Sequence, residues 1–112
     1  MWKDSALLLD VLIAAQKARA FAENESWETI RQNEILQNAV VRMLIIVGEA
    51  AGKISEETKA AHPEIPWKEI IGMRHHLVHE YFRIELDEVW HTLQYDLPTL
   101  ISAVEKLIPS EE

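Results

Sequence analysis

Residues 66–82 constrain the fold of this chain more than any other segment, because their apolar side chains repeat with the period of an α-helix. Apolar residues recur three and four positions apart and therefore share one helical face. These residues are Trp67, Ile70, Ile71, Leu77, Val78 and Tyr81. Arg74 occupies the position that completes this face. A charge on an apolar face is costly unless a carboxylate, a phosphate or an open cleft receives it, so Arg74 is a candidate functional residue.

Two long helices are predicted in the first half of the chain. Residues 4–21 carry an apolar stripe, and Asp4 is expected to be the N-cap of this helix. A second helix is predicted from about residue 33 to residue 53. Its segment 39–47 is apolar nearly all round apart from Arg42, which is typical of the most buried helix of a bundle.

The second half of the chain is also predicted to be helical. Ser55 is expected to cap a brief helix, and Pro66 suits the first turn of the helix that contains Arg74. Apolar residues four and three apart continue over residues 86–107, where Pro98 either kinks a helix or lies in the first turn of a new one. The sequence therefore predicts an all-α fold, an antiparallel bundle of four to five helices in a single domain over residues 1–112.

Composition excludes several classes of protein. The absence of cysteine rules out disulfides and thiolate chemistry. The formal net charge of −8 argues against a broad basic surface for nucleic acid, although one local site could still bind a polyanion. No apolar run reaches the roughly 18 to 20 residues of a membrane span, and no signal peptide is apparent. We therefore expect a soluble, cytoplasmic protein with no membrane partner.

Arg74, His79 and Tyr81 together form the pattern R-x4-H-x-Y. With this pattern the sequence resembles the HEPN superfamily (higher eukaryotes and prokaryotes nucleotide-binding), and within it the HepT-like toxins that are paired with minimal nucleotidyltransferase antitoxins. The likeness extends over most of the chain. Its further landmarks, in the same order, are Gly48-Glu49-Ala50, Ile65-Pro66-Trp67, and Trp90 through Asp96-Leu97-Pro98.

The resemblance implies a HEPN-like helical bundle, a homodimer whose motifs line a shared cleft, and endoribonuclease activity that needs neither a metal nor another cofactor. Arg74 would hold the scissile phosphate of RNA, and His79 would transfer protons. The resemblance also implies regulation by a cognate nucleotidyltransferase antitoxin. This antitoxin would silence the toxin by transferring AMP to Tyr81, which would otherwise help to position RNA.

The side-chain chemistry is consistent with these roles. Imidazole exchanges protons close to neutral pH, and a guanidinium binds phosphate through two parallel hydrogen bonds. Arg74 and His79 lie about 140° apart around a helix, so two copies of the chain would be needed to bring both groups to one phosphate. His75, four residues before His79, is a possible helper, and Glu49 is a possible partner that orients Arg74.

Three other interpretations of these residues remain open. Arg74 could be a rim residue whose stem covers apolar surface while its charge reaches water. His75 and His79 have the spacing of two metal ligands, although no third ligand is evident nearby. The chain could also be a catalytically inactive HEPN module that serves as the dimeric partner of a nucleotidyltransferase.

Overall fold

The computed structural model describes residues 3–109, and every regular element within that range is helical, which confirms the predicted all-α class. The number of helices exceeds four to five because three six-residue segments in the connections are also helical. The α-helices of the described range are α1 (Asp4–Phe21), α2 (Trp27–Gln32), α3 (Glu34–Lys53), α4 (Glu56–Ala61), α5 (Trp67–His79), α6 (Leu86–His91) and α7 (Leu97–Glu105).

The centre of the bundle is α3, which packs along α1 and along α5. It begins where the sequence predicted, because the side chain of Asn33 accepts a hydrogen bond from the backbone N–H of Leu36. By length and composition α3 is apolar enough to cross a membrane. Its place between two other helices accounts for that apolar character, since it contributes to the core Val40, Val41, Leu44, Val47, Gly48, Ala50 and Ala51.

The prediction that Asp4 caps α1 is wrong. Lys3 is the N-cap residue, and no side chain caps this end of the helix. The carboxylate of Asp4 instead accepts hydrogen bonds from the hydroxyls of Ser55 and Thr58 and from the backbone N–H of Ser55, which together lower its pKa. Ser55 is the N-cap of α4, as predicted. These bonds attach the start of α1 to the corner between α3 and α4.

The helix that carries the motif is shorter than predicted. It ends at His79, and after Glu80 the chain forms a 3-10 turn at Tyr81–Arg83. Tyr81 therefore does not continue the apolar face of α5, and Val78 on that face is 39% exposed. The physical reason is a tertiary contact: the hydroxyl of Tyr81 donates a hydrogen bond to Asn38 of α3, which helical periodicity alone does not reveal.

The chain remains helical between α6 and α7. A π-helical turn at Thr92–Asp96 joins the two helices, and Pro98 lies in the first turn of α7. A wider turn at this place is consistent with the chemistry of proline, which has no N–H to donate to the preceding turn and whose ring crowds that turn. Pro98 therefore lies in the first turn of a helix, which is the second of the two predicted alternatives. The chain does not leave the helical conformation before that helix begins, because the π-helical turn joins α6 to α7 directly.

Close approach between α3 and α5 depends on Gly48. A Cβ atom at Gly48 would lie 2.1 Å from the Cβ of Arg74 and 3.2 Å from the carbonyl oxygen of Ile70. The second of these atoms belongs to the backbone of α5, so a larger residue could be accommodated only by separating the two helices. Gly72 is also helical, but a Cβ added there would meet no atom within 4 Å.

We predict opposite effects for alanine at these two glycines. Gly48→Ala should lower the free energy of unfolding by about 2 kcal/mol or more, because the added methyl group forces α3 and α5 apart. Gly72→Ala should leave stability unchanged or raise it by up to about 1 kcal/mol, because alanine is the better helix former. Urea denaturation followed by circular dichroism measures both values. Equal stabilities for the two variants would contradict the close contact.

Candidate functional site

Arg74 reaches from α5 to α3 and contacts Glu49, as the sequence suggested. Its Nη2 donates a hydrogen bond to Oε2 of Glu49 at 3.3 Å, and the two side chains are 33% and 46% exposed. The Nε of Arg74 is buried and has no acceptor among residues 3–109. Gly48 fixes the beginning of this side chain and Glu49 fixes its end, so the guanidinium is held at a defined point on the surface.

The two histidines of the candidate site lie together at the end of α5. The ring centroids of His75 and His79 are 4.3 Å apart, with an angle of 43° between the ring planes, and both residues are exposed. His76 has a different contact, because its Nδ1 lies 3.2 Å from Oε1 of Glu80. The imidazoles of His75 and His79 are accessible to a ligand, whereas Arg74 is held against α3.

A metal at His75 and His79 would need at least one more protein ligand. Structural and catalytic zinc sites use three or four protein ligands. Across residues 3–109, no three His, Asp or Glu side chains are grouped in a way that could hold a metal ion. The direct contact between the two tilted rings explains the four-residue spacing of His75 and His79 without a metal.

Tyr81 connects the turn after α5 to the beginning of α3. Its hydroxyl donates a hydrogen bond to Oδ1 of Asn38, while 45% of the residue remains exposed. The ring of Phe82 meets the ring of Tyr81 edge-on at 5.2 Å and is 97% exposed. The turn that follows α5 therefore presents two exposed aromatic rings.

Asn38 is a site residue that sequence reasoning missed. One signal could have revealed it, because Asn38 and Glu49 lie about three helical turns apart and therefore share a face of α3. That face meets α5 at Arg74 and meets the following turn at Tyr81. The register of α3 could have been read from the sequence, but the pairing of this face with the motif required the tertiary structure.

The motif lies on an open surface. One cavity of the structure, about 330 Å³ in volume, lies between α5 and α7 and is lined largely by apolar residues such as Ile70, Met73 and Leu97. Arg74, His79 and Tyr81 do not line it. An open surface can accommodate a polymer, whereas small-molecule sites are usually concave pockets.

Comparison with known proteins identifies one family. Residues 11–107 match the HepT-like family, which is described as "Ribonuclease HepT-like". The chain is 37% identical over 100 residues to the protein named "Probable ribonuclease HepT" of Thermococcus cleftensis. The match covers 89% of this chain and 91% of that protein. No solved structure gives a significant match.

Two proteins of Methanocaldococcus jannaschii, MJ1216 and MJ0125, are also similar, and their names assign them provisionally as RNases. The first is 36% identical and the second 35% identical, each over 107 residues and 96% of this chain. The matches cover 88% and 92% of these two proteins. Since the family match and these relatives extend over nearly the whole sequence, the chain belongs to the HepT-like ribonuclease family of the HEPN superfamily.

Proposed function

We propose that this protein is an endoribonuclease that cleaves RNA without a metal ion and that Arg74 and His79 carry out the reaction. Membership of a ribonuclease family supports RNA as the substrate. The observation that carries the assignment of residues is the placement of Arg74. The first atoms of its side chain lie against Gly48, and its guanidinium contacts Glu49 at the protein surface, where a phosphodiester can reach it.

The proposed reaction is an internal transesterification. The ribose 2′-oxygen attacks the adjacent phosphorus and loses its proton to an imidazole, and the 5′-oxygen leaves with a proton donated by an imidazole. The products are a 2′,3′-cyclic phosphate and a free 5′-hydroxyl. His79 transfers the protons, with His75 as a possible helper, and Arg74 stabilises the additional negative charge on the phosphate oxygens.

We further propose that two copies of the chain form one active site. A single copy supplies one motif histidine, and Arg74 and His79 lie about 140° apart around α5. A two-fold axis beside α5 would bring both groups of each copy to a shared cleft. The exposed side chains of Val78 and Phe82 support such a contact, because they offer apolar surface that a second copy could cover.

Regulation by AMP transfer to Tyr81 is also part of the proposal. The tyrosine oxygen would attack the α-phosphorus of ATP bound to a cytoplasmic nucleotidyltransferase, and pyrophosphate would leave. The partial exposure of Tyr81 supports access for such an enzyme. The new phosphodiester would remove the hydrogen that Tyr81 donates to Asn38 and would place a negative charge beside the RNA site.

A second candidate function is a catalytically inactive module that docks a nucleotidyltransferase. The net charge of −8 favours this alternative, because it repels RNA outside the local site. The two functions differ in one respect that can be measured: only the ribonuclease requires Arg74 and His79 for an effect on RNA.

We predict that the purified protein cuts single-stranded RNA in the presence of EDTA. Arg74→Ala and His79→Ala should each reduce the rate at least about 100-fold, because they remove charge stabilisation and proton transfer. Arg19→Ala and His91→Ala are matched controls at exposed positions on α1 and α6, and they should cut at the wild-type rate. If wild type and all four variants are equally inert, the inactive module is the correct function.

A mixing experiment tests the shared active site. Arg74→Ala and His79→Ala proteins, each inactive alone, should recover measurable activity when their subunits are exchanged, because the mixed dimer retains one intact arginine and one intact histidine. Native mass spectrometry confirms that the mixed dimer has formed. A wild-type protein that cuts RNA while it remains monomeric would show that the site is not shared.

The two tyrosines of the chain allow a controlled test of modification. Co-expression with a minimal nucleotidyltransferase of the same genome should add AMP to the intact protein, and peptide mapping should locate it at Tyr81. Tyr81→Phe should abolish the addition, since it removes the attacking oxygen. Tyr95→Phe, at a residue that is 66% exposed, should not. AMP on Tyr95, or AMP retained by Tyr81→Phe, would contradict the proposed regulation.

A further inference from the structure

Arg42 is an exposed charged residue on the face of α3 that meets the motif. Helical geometry places Asn38, Arg42 and Glu49 within about 40° of one another around α3. Asn38 contacts Tyr81, and Glu49 contacts Arg74. Along the axis, Arg42 lies about 6 Å from Asn38 and about 10 Å from Glu49, and therefore between the two contacts.

Contacts among residues 3–109 do not account for the charge of Arg42. Exposed arginines on helices are often paired with an acid three or four residues away, but here those positions hold Asn38, Ala39, Ile45 and Ile46. The ion pairs formed within residues 3–109 do not include Arg42. Its stem can cover the half-buried Ile45 and Ile46, but that contact requires no guanidinium.

Arg74 alone gives the site little net positive charge with which to attract RNA. Glu49 offsets much of the positive charge of Arg74, and the chain as a whole carries a net charge of −8. A phosphate at Arg74 would therefore meet a pair that is close to neutral on an acidic protein. Arg42, unpaired within the described residues and on the same face, can supply attraction that Arg74 alone does not.

We propose that Arg42 binds a second phosphate of the RNA strand, close to the phosphodiester held at Arg74. This inference rests on the proposed ribonuclease function and names the part of the substrate that the site holds, the sugar–phosphate backbone of single-stranded RNA. The guanidinium donates two N–H groups to the non-bridging oxygens of that phosphate. The second phosphate contact adds to the affinity for the strand, so Arg42 is a binding residue.

Binding can be tested separately from cleavage with a labelled single-stranded 2′-O-methyl oligoribonucleotide, which lacks the attacking hydroxyl. Fluorescence anisotropy over a range of salt concentrations gives its affinity. Arg42→Ala should weaken binding about 10-fold, the effect of losing a charge-assisted hydrogen bond. The slope of log affinity against log salt should become shallower by about 0.7, as expected for one lost phosphate contact.

Two further variants separate charge from geometry. Arg42→Lys should recover part of the affinity and the full salt dependence, because it keeps the charge but loses the two parallel hydrogen bonds. Arg19→Ala removes one exposed arginine of α1 and should match wild type in both measurements. Circular dichroism and light scattering should give the same helix content and the same molar mass for every variant.

Cleavage supplies an independent measurement. With a cleavable oligoribonucleotide, Arg42→Ala should raise KM about 10-fold and leave kcat nearly unchanged. The reason is that Arg42 binds a phosphate of the strand that does not take part in the reaction. With a dinucleotide, which has a single phosphodiester, Arg42→Ala and wild type should be equal. A fall in kcat on both substrates would contradict a binding role.

The outcomes for this inference and for the proposed function can be distinguished. If wild type cuts RNA but Arg42→Ala behaves like Arg19→Ala, the second phosphate site is wrong and the ribonuclease assignment stands. If the oligonucleotide binds through Arg42 but ordinary RNA is not cut, the phosphate site stands and the ribonuclease assignment fails. Loss of the wild-type molar mass in Arg42→Ala would assign Arg42 to a contact between subunits and overturn the inference.

Discussion

The contact of Gly48 with Arg74 is the constraint on which the site depends. At this point α3 and α5 approach so closely that no side chain larger than hydrogen fits at Gly48. Close packing between the two helices sets the position of the Arg74 Cβ, and Glu49, the next residue on α3, receives the guanidinium. A residue that would be costly on an apolar face is therefore accommodated at the edge of the core, with its charge paired and its head partly in water.

The same helix pair organises the remaining site residues. Asn38, on the face of α3 that carries Glu49, accepts the hydrogen bond of Tyr81 and so directs the turn after α5 towards α3. His75 and His79 remain on the exposed side of α5. The result is an open surface with groups suited to binding phosphate and transferring protons, rather than an enclosed pocket. This arrangement is consistent with a long, charged polymer as the substrate of the family.

Part of the site could be read from the sequence. Arg74 was recognisable because it interrupts an apolar stripe, and Glu49 was recognisable because a carboxylate on the most apolar helix requires a partner. Asn38 was not recognisable, because its contact joins residues far apart in sequence. The end of α5 was predicted incorrectly for the same reason, since Tyr81 fits the helical period but is drawn out of it by a partner on another element.

The sequence by itself determined the helical class, the position of α3 at the centre, its start near residue 33 and the cap at Ser55, because these follow from local periodicity and from short-range hydrogen bonds. Only the tertiary structure decided that Asp4 binds the α3–α4 corner rather than capping α1, that a π-helical turn precedes Pro98, and that α5 ends at His79. Side-chain partners from distant parts of the chain compete with local preferences, and their placement depends on how the helices pack.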